Sequence, residues 1–379
     1  MTQFTVTAAA LRDAAQWAST ATPSRPIAPV LAGLLLDVRD GRVAVTGYDY
    51  NTRATATIGA DVTGPGRLLV SGKLLVAMAK TIPPRAEVTF TDTGGTVEAV
   101  AGRARWSLPL LPVDDYPGLP DLGAPVGHVK AGDLRAALAR VLPAASRDVT
   151  LPSLAGVKVE CEGDRMTLAA TDRYRISAAE ISWTPADGGE PWEAVVPTSL
   201  MTAASRAGGS DDELLAVSCS GSGFGLAGGA ALLAGRLIDA VFPAWRRIMP
   251  EPGDRFVVLE REPLLQAVEQ ALVAAENDGV LLAIDVDGIR VAAAGEGRQA
   301  VSWAPARLVG EPLAVKLNAG YLRDALTSHD TSEVTVHLYA QHRPLLVVSD
   351  TPGYRHLVMP ARMSDAERAA IERPEEVAA

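Results

Sequence analysis

The feature that most constrains the fold of this 379-residue chain is a threefold internal repeat. An apolar strand pattern ends at a turn near Asp49, and the same pattern recurs near Asp172 and Gly295, each time 123 residues further on. Solenoid units span only ~20–50 residues, so copies of this length are whole domains. Proline and glycine interrupt the pattern between copies. The predicted domains are 1–124, 125–252 and 253–363, followed by a flexible tail at 364–379.

Each copy also repeats one order of elements. Apolar residues at three- and four-residue intervals predict two helices in every copy. The predicted helices are 8–19, 72–82, 131–142, 198–207, 262–276 and 318–328. Alternation of apolar and polar residues predicts strands between the two helices and after the second one. The sequence therefore predicts an α+β fold in three similar domains.

Composition excludes several classes of protein. Hydrophobic residues make up 48% and charged residues 21% of the chain, which is typical of a globular protein. No apolar run approaches the ~18 residues of a membrane span, and Met1–Val6 lacks the features of a secretory signal, so we expect a cytoplasmic protein. Cys161 and Cys219 lie too far apart in sequence for a zinc ribbon or a Cys-x-x-Cys redox pair.

The net charge of the chain limits how it can bind nucleic acid. The net charge is −10 at pH 7, so any contact with DNA needs a local basic surface. Only five of the 35 basic residues are lysines, and alanine, glycine and valine are abundant. This usage is typical of a GC-rich genome.

No motif supports an enzyme or a bound cofactor. The segment Gly223–Gly228 spells a Gly-x-Gly-x-x-Gly dinucleotide fingerprint, but alternating strand patterns surround it where a parallel βαβ unit is required. A hairpin turn explains these glycines better, and a nucleotide-dependent oxidoreductase stays only a remote alternative. The five histidines show no metal-ligand spacing, so we expect no metal, no cofactor and no catalytic residues.

Two segments combine aromatic and charged residues. In 170–177 a strand ends at the charged turn Asp172–Arg175, which also contains Tyr174. In 242–250 the sequence FPAWRRIMP forms an extended linker between the second and third copies. An ion-paired turn and a domain linker are the structural interpretations of these patterns.

At these residues the sequence resembles the bacterial DNA polymerase III beta subunit, the replicative sliding clamp. The resemblance runs in collinear order from Phe4 to Met363, and it implies a non-catalytic processivity subunit. It is also carried by Ser71–Lys73, Thr150–Pro152, Leu154, Gly156, Asn318, Tyr321 and Val358–Met363. It implies three clamp domains, each with two helices packed on antiparallel sheets. Two subunits would join head to tail into a pseudo-sixfold ring around duplex DNA, bound independently of its sequence.

The resemblance also implies a peptide-binding groove between the second and third domains. In the family this groove captures short motifs of the polymerase alpha subunit, the clamp loader and repair polymerases. Aliphatic residues and methionine form an adaptable pocket for a leucine and an aromatic side chain, while arginines and an asparagine hold polar groups. By position the groove comprises Leu154, Thr171, Arg173, Tyr174, Arg175, Ile176, Pro243, Arg247, Ile248, Asn318, Tyr321, Val358, Met359, Pro360, Ala361, Arg362 and Met363.

The DNA-facing and dimer-forming residues follow from the same resemblance. The DNA-facing cations are Arg12, Arg25, Lys73, Lys80, Arg135, Arg140, Arg147, Arg206 and Arg323. Two departures predict weaker DNA contact. The first helix of the third copy carries Glu262, Glu269 and Glu276, and Thr198 stands where the family often has a basic residue. At the dimer contact, Trp106 and Leu108 of one subunit would meet Leu272 and Val273 of the other, with edge strands paired across the join.

Two further departures keep a second interpretation open. The chain continues for 16 residues past Met363, where typical family members stop, and its final motif is altered to Ala361-Arg362-Met363. The alternative to the replicative clamp is an additional clamp copy whose altered groove gives tolerance to a clamp-binding inhibitor. The acidic tail either shields the arginines of the groove or is disordered, and disorder is the prediction.

Overall fold

The computed structural model describes residues 1–186, 188–221, 223–275, 279–295, 298–340, 342–364 and 367. Within these residues the chain forms three consecutive sets of elements in one order: a strand, a helix, five strands, a second helix and three strands. A short additional helix precedes the third set. The threefold repeat predicted from the sequence is confirmed element by element.

The bounds of the elements follow this order. The first set contains β1 (Gln3–Thr7), α1 (Ala8–Ser19), β2 (Gly33–Arg39), β3 (Arg42–Tyr48), β4 (Thr52–Gly59), β5 (Asp61–Gly64), β6 (Gly66–Ser71), α2 (Gly72–Thr81), β7 (Glu87–Asp92), β8 (Thr96–Ala101) and β9 (Ala104–Pro109). The second contains β10 (Pro125–Lys130), α3 (Ala131–Val141), β11 (Gly156–Glu162), β12 (Arg165–Thr171), β13 (Arg175–Ser182), β14 (Thr184–Pro185), β15 (Trp192–Pro197), α4 (Thr198–Ala204), β16 (Leu214–Ser220), β17 (Gly223–Gly228) and β18 (Ala231–Arg236). The short helix α5 (Trp245–Ile248) precedes the third set, which contains β19 (Phe256–Glu260), α6 (Arg261–Leu272), β20 (Gly279–Asp285), β21 (Gly288–Gly295), β22 (Arg298–Ala304), β23 (Ala306–Val309), β24 (Leu313–Asn318), α7 (Ala319–Thr327), β25 (Glu333–His337), β26 (Leu345–Val348) and β27 (Tyr354–Val358).

All six predicted helices form, and each begins within one residue of its predicted start. Several end earlier than predicted. Helix α2 stops at Thr81 because the following residue precedes Pro83 and is extended. Helix α4 stops at Ala204, three residues short of the prediction. Helix α6 ends at Leu272, and the predicted end at position 276 lies outside the described residues.

The chain divides into two compact units that do not coincide with the three sets. The first unit comprises Met1–Arg135, Trp183–Glu190 and Ser199–Leu237. The second unit comprises Ala136–Ser182, Pro191–Thr198 and the chain from Ile238 onward. The middle set contributes to both units because its strands pair with different neighbours.

Every sheet is antiparallel, and one rule of strand pairing recurs. In the first unit the strand orders are β14-β10-β16-β17-β18-β4-β3-β2-β6 and β5-β1-β7-β8-β9. In the second unit they are β15-β11-β12-β13-β27-β26-β25-β19-β23 and β22-β21-β20-β24. The ninth strand of a later set pairs with the fourth strand of the preceding set, β18 with β4 and β27 with β13. The register is also the same, because the first residue of the ninth strand pairs with the fifth residue of the fourth strand: Ala231 with Ala56, and Tyr354 with Ala179.

The helices bury their apolar faces against the sheets. In the first unit Leu11 of α1 is buried in a cluster that includes Phe4 and Phe90, whose rings stack 4.8 Å apart. Small residues let α1 lie close to β3, since a side chain at Gly47 would come within 2.1 Å of the carbonyl oxygen of Ala18. Helices α6 and α7 contribute to a corresponding cluster in the second unit. The predicted α+β class is therefore confirmed.

The glycine-rich segment Gly223–Gly228 is strand β17, so the predicted hairpin turn was wrong for these residues. The strand pairs with β16 on one side and β18 on the other, and the next element along the chain is a strand. A side chain at Gly225 would lie 1.8 Å from Cδ2 of Leu122, so glycine allows the chain at Leu122 to pack on the sheet. The segment lacks the helix N-terminus that receives a pyrophosphate in dinucleotide sites.

A network of buried polar groups lies beside β13 and β27 in the second unit. The hydroxyl of Tyr354 is 3.0 Å from Nδ1 of His356 and 3.2 Å from Oγ of Ser177. The ring of Tyr354 lies 4.6 Å from that of His329. Burial, reinforced by nearby arginines, lowers the pKa of His329 to about 4 and the pKa of His356 to about 3. Both imidazoles are therefore neutral in the folded protein at pH 7.

We expect these histidines to make the protein less stable in mild acid. The folded-state pKa values lie below 6.5, so the unfolded chain binds more protons as the pH falls below that value. Stability is full above pH 6.5 and is lost progressively towards the folded-state pKa values. At pH 5.5 each histidine should lower the free energy of unfolding by roughly 1 kcal/mol. Urea unfolding at pH 7.5 and 5.5 measures the loss, and His356→Leu should reduce it; an unchanged loss in this variant would contradict the assignment.

Candidate functional site

The turn between β12 and β13 holds its backbone in a conformation that few side chains adopt. The Oδ1 atom of Asp172 accepts hydrogen bonds from the backbone N–H groups of Tyr174 and Arg175 at 3.0 and 3.1 Å. Arg173 has a φ of 80°, in the left-handed region. The equivalent turn of the first set places Tyr50 at a φ of 73°, with an aspartate accepting the equivalent bonds. The first and second sets therefore share this turn, and its side chains distinguish the second copy.

Arg175 connects this turn to its surroundings. Its Nε donates to Asp172 at 2.9 Å and one Nη donates to Asp324 at 2.6 Å. The other Nη donates to the carbonyl oxygen of Pro143, and the guanidinium lies 4.5 Å from the centroid of the Tyr321 ring. The Arg175 side chain is only 7% exposed, so these pairs are shielded from water. Arg175 therefore positions the turn against α7, and its guanidinium is not free to reach a ligand.

Two tyrosines form an aromatic surface beside Arg175. The rings of Tyr174 and Tyr321 stack with centroids 6.1 Å apart, and Tyr174 is 54% exposed. Asn318 caps α7, since its Oδ1 accepts a hydrogen bond from the N–H of Tyr321 at 3.0 Å. The N–H of Met359 donates to the carbonyl oxygen of Tyr174 at 2.8 Å. The segment after β27 therefore lies against the turn.

The linker around α5 is held by three apolar anchors. Phe242, Trp245 and Met249 are buried in one cluster with residues of β13 and β27. Because α5 has a single turn, the residues between the last two anchors face away from the cluster, and both Arg247 and Ile248 are exposed. The pattern of large apolar residues thus explains why this linker presents a cation and an aliphatic side chain at the surface.

All predicted groove residues belong to the second unit, but their exposure differs. The exposed ones are Arg173, Tyr174, Arg247, Ile248, Ala361 and Arg362. The half-buried ones are Pro243, Asn318, Tyr321, Met359, Pro360 and Met363, and the buried ones are Leu154, Thr171, Arg175, Ile176 and Val358. The sequence did not single out Asp324 as a site residue. Its place on α7, three residues after Tyr321, puts it on the same helix face, and that spacing was the available signal.

The predicted DNA-facing cations also differ in their solvent exposure and in their ion pairs. Those fully exposed are Arg25, Lys73, Lys80, Arg147, Arg206 and Arg323. Arg12 and Arg135 are half-buried, and each forms an ion pair with an aspartate. Arg140 is 15% exposed, pairs with Asp330 and lies 5.6 Å from the ring of Tyr354, so little of it is left for DNA. The hydroxyl of Thr198 donates to the carbonyl oxygen of Ala155 at 2.6 Å.

Helix α6 keeps the acidic character predicted for it. Glu262 and Glu269 are exposed on this helix, whereas Glu276 lies outside the described residues. The arginine at its start, Arg261, donates to the carbonyl oxygen of His329 at 2.7 Å. The exposed surface of α6 is therefore negative, unlike that of α2 with its two exposed lysines.

The predicted dimer residues lie at or near two edge strands. Val273 is 79% exposed, and Trp106 and Leu272 are partly buried against their own cores. Leu108 is only 4% exposed, because its side chain packs in the hydrophobic core beneath β9. In the described ranges β9 pairs only with β8, and β22 pairs only with β21. Val301 and Trp303 are exposed on β22.

The described part of the chain shows no grouping of three or more histidine, cysteine, aspartate or glutamate side chains suited to a metal ion. Its two cysteines, Cys161 and Cys219, are not joined in a disulfide. None of its described helices is both long and apolar enough to cross a membrane.

Three equivalent sets of two helices and nine strands define a clamp fold, and comparison with known proteins identifies the family. The chain matches the models of the DNA polymerase III beta subunit for the N-terminal domain at residues 2–120, the central domain at 128–244 and the C-terminal domain at 246–362. The beta sliding clamp of Streptomyces coelicolor is 35% identical over 369 residues, which cover 93% of this chain and 97% of that protein. The beta sliding clamp of Micrococcus luteus is 37% identical over 299 residues, or 79% of this chain and 96% of that protein. The crystal structure of the DNA polymerase III beta subunit of Thermotoga maritima is similar, with a TM-score of 0.90 at 24% identity, over 96% of this chain and 100% of that chain.

The chain therefore belongs to the DNA polymerase III beta subunit family, the beta sliding clamps. It is a DNA sliding clamp, a non-catalytic subunit that encircles duplex DNA, tethers the polymerase and confers processivity. The family resemblance noted in the sequence is confirmed, and the oxidoreductase alternative is not supported. The two similar clamps come from actinobacteria, which agrees with the arginine-rich composition.

We expect Arg175→Leu to lower the free energy of unfolding by about 3 kcal/mol, because it leaves the carboxylates of Asp172 and Asp324 without their cation. Arg165→Leu is the matched control, since Arg165 lies on the neighbouring strand, is 67% exposed and pairs with Glu180 at 3.2 Å. Its loss should cost no more than about 1 kcal/mol. Urea unfolding of both variants measures the difference, and equal losses would show that the Arg175 pairs are no stronger than a surface pair.

Proposed function

We propose that this clamp is the replicative processivity clamp, that it acts as a head-to-tail homodimer, and that it captures partner peptides in the groove of its second unit. The partners are the DNA polymerase III alpha subunit, the clamp loader and repair polymerases. We assign its domains to 1–124, 125–252 and 253–363, and its place of action to the cytoplasm. The observation that carries the proposal is the recurring rule of strand pairing.

A ninth strand pairs with a fourth strand twice inside the chain. Among the described strands, one ninth strand and one fourth strand do not take part in such a pair. Within the described residues, β9, the ninth strand of the first set, pairs with β8 alone, and β22, the fourth strand of the third set, pairs with β21 alone. An antiparallel pair between β9 of one subunit and β22 of another would repeat the internal junction and cover two edges that are otherwise open to aggregation. A head-to-tail contact of this kind closes when two identical copies complete the turn.

The repeated register makes the junction specific. In both internal junctions the first residue of the ninth strand meets the fifth residue of the fourth strand. The corresponding residues of β9 and β22 are Ala104, which is exposed, and Ser302, which is half-buried. The same register brings Trp106 opposite Ala300. Val301, exposed in the single chain, would then be covered by the partner strand.

The groove offers both apolar and cationic contacts. The stacked rings of Tyr174 and Tyr321 can receive an aromatic side chain, and Ile248 and Met359 can adapt to a leucine. Arg173 is exposed at the rim and can bind a carboxylate or carbonyl oxygen of the peptide. A single surface of this kind lets several partners compete for one clamp.

The exposed lysines and arginines on and beside the helices support a DNA-facing role for that surface. Contact through phosphates is independent of sequence and weakens as salt rises. The acidic residues Glu262 and Glu269 on α6 oppose such contact in the third set. We therefore assign most of the DNA attraction to the first two sets.

An additional clamp copy with tolerance to a clamp-binding inhibitor is the second candidate. The exposed acids of α6 and the altered ending Ala361–Met363 favour it. The similarity to a beta sliding clamp, at 35% identity over 93% of this chain, supports the replicative role. A second clamp gene in the same genome, closer in sequence to the family's typical ending, would favour the additional copy.

We expect a disulfide to form between subunits that carry both Ala104→Cys and Ser302→Cys. Directly opposed residues of an antiparallel pair have Cα atoms about 4.5–5.5 Å apart, which a disulfide can bridge. The matched control pairs Ala104→Cys with Ala300→Cys, which is two residues out of register and should cross-link far less, because diagonal neighbours lie about 7–8 Å apart. Non-reducing electrophoresis measures the product.

The same contact predicts monomers when Leu272→Ala and Val273→Ala are combined. The partner subunit would bury both side chains, and truncating apolar side chains buried in this way costs on the order of 2–5 kcal/mol. Sedimentation analysis reports the mass. An unchanged dimer mass, together with equal cross-linking of the two cysteine pairs, would overturn the proposed junction.

We expect Met359→Asp to abolish peptide capture without opening the dimer, because it puts a charge into the apolar part of the groove. Fluorescence polarisation with a labelled peptide containing leucine and phenylalanine measures the affinity, and sedimentation confirms the mass. Val286→Asp is the control, since Val286 is an exposed aliphatic residue of the β20–β21 turn. Undiminished binding by Met359→Asp would count against the groove.

A further inference from the structure

The first unit contains a cavity of about 440 Å³ where β18 pairs with β4. The turn between β3 and β4 lines one side, and the linker around Pro120 lines another. The remaining lining comes from β18 and from the hairpin of β16 and β17. A space of this volume is large enough for a small ligand or for one or two side chains of a peptide. We call it the first-unit cavity.

The first-unit cavity stands at the place in the repeat that the groove occupies in the second unit. Successive copies are 123 residues apart, so Pro120 corresponds to Pro243 of the groove. The closing backbone contact is also repeated. The N–H of Arg236 donates to the carbonyl oxygen of Asn51 at 3.0 Å, and the corresponding bond of the second unit joins Met359 to the turn at 2.8 Å.

Small residues keep this cavity open. Its lining includes Gly223, Gly225, Ala234 and Gly235. Gly223 lies two residues before Gly225 on β17, so both residues face the same side of the sheet. A Cβ at Gly223 would lie 3.7 Å from its nearest neighbour, the carbonyl oxygen of Ser220. Position 223 could therefore carry a larger side chain into the cavity without a clash at its Cβ.

The turn presents an aromatic ring at the cavity. Tyr50 is 42% exposed, and its φ of 73° is fixed by local hydrogen bonds. Asp49 accepts two backbone N–H groups of the turn, and the hydroxyl of Tyr48 donates to the carbonyl oxygen of Tyr50 at 3.2 Å. The rings of Tyr48 and Tyr50 are tilted, with centroids 6.0 Å apart. Such a pre-organised ring can pack against the aromatic side chain of a ligand.

The charges at the cavity suit a peptide better than a nucleic acid. Arg236 is exposed and forms no ion pair with the acids that the structure describes. Burial lowers the pKa of Arg53, and the nearby carboxylate of Asp121 acts in the opposite direction. Asp121 is therefore compensated by Arg53, which leaves Arg236 for a ligand anion. A peptide offers a carboxylate to Arg236 and N–H groups to Asp121, whereas a phosphate chain would be repelled by Asp121.

We propose that the first-unit cavity is a second peptide site, which binds a short acidic segment that carries one aromatic side chain. The aromatic side chain packs against Tyr50, and a neighbouring carboxylate pairs with Arg236. The choice of a peptide rests on the peptide-binding function proposed for the second unit. Arg236 stands where the groove has Met359, so this site prefers an acid where the groove prefers leucine. A partner bound here would not compete for the groove.

The test uses the Met359→Asp variant, in which the groove is blocked. The probe is a short labelled peptide with one phenylalanine between aspartates and no leucine. We expect saturable binding in fluorescence polarisation. Adding Arg236→Gln should weaken it about tenfold, because a hydrogen-bonded charge pair is lost.

A second variant fills the cavity. In the same background Gly223→Leu should abolish binding of the acidic peptide, because the leucine occupies the space of the aromatic side chain. Gly59→Leu is the matched control and should leave binding unchanged. Gly59 ends β4 of the same sheet, and a Cβ there would meet nothing within 4 Å. With Met359 intact, Gly223→Leu should still bind the peptide containing leucine and phenylalanine, which shows that it folds.

Each outcome decides one claim. No saturable binding by Met359→Asp, or equal binding by Gly223→Leu and Gly59→Leu, would overturn the second site. If Gly223→Leu also loses the leucine-containing peptide, Arg236→Gln decides, and undiminished binding overturns the proposal. Binding of a single-stranded oligonucleotide in place of the acidic peptide would overturn the choice of ligand. Failure of the unaltered chain to bind the leucine-containing peptide would overturn the groove, whereas acidic-peptide binding that Gly223→Leu removes would still support the second site.

Discussion

The structure depends on one constraint, which is the antiparallel pairing of the ninth strand of one set with the fourth strand of the set before it. This pairing builds both nine-stranded sheets, and it divides the middle set between two compact units. Its register is identical at the two junctions. Because a shift by one residue would turn every side chain to the opposite face, the buried faces of the sheets maintain this register. The same geometry leaves β9 and β22 as the edges suited to another copy of the chain.

The first and second sets share the same backbone turn, and differences between their side chains distinguish the candidate site of the second set. The turn after the third strand has the same hydrogen bonds and the same left-handed residue in the first and second sets. In the second copy the next strand begins with Arg175, which binds two carboxylates and covers the ring of Tyr321. That arginine lies beside the stacked rings of Tyr174 and Tyr321. The proposed groove is therefore built around a turn that the chain uses twice.

The net charge of the chain does not describe how charged residues are distributed over its surface. A chain with a net charge of −10 still exposes six of the nine cations assigned to the DNA-facing surface. Helix α6 instead exposes two acids, Glu262 and Glu269. Long-range attraction depends on the local field, so an acidic protein can bind a polyanion through one surface. His329 and His356 contribute nothing to this field at neutral pH, because burial lowers their pKa values and keeps both uncharged.

The sequence by itself determined the threefold repeat, the starts of the six main helices and the family, because hydrophobic periodicity and spaced turn residues are local signals. It also singled out 242–250 as a linker, but the burial of Phe242, Trp245 and Met249 as its anchors is visible only in the structure. It could not show that Gly225 is a strand residue cleared for Leu122, that Leu108 is buried, or that Arg140 pairs with Asp330. The contact of Gly225 with Leu122 and the pair of Arg140 with Asp330 join residues about 100 and 190 positions apart in the chain, and only the tertiary structure brings them together. Whether a charged or apolar residue faces solvent is decided by what packs against it, which no local pattern records.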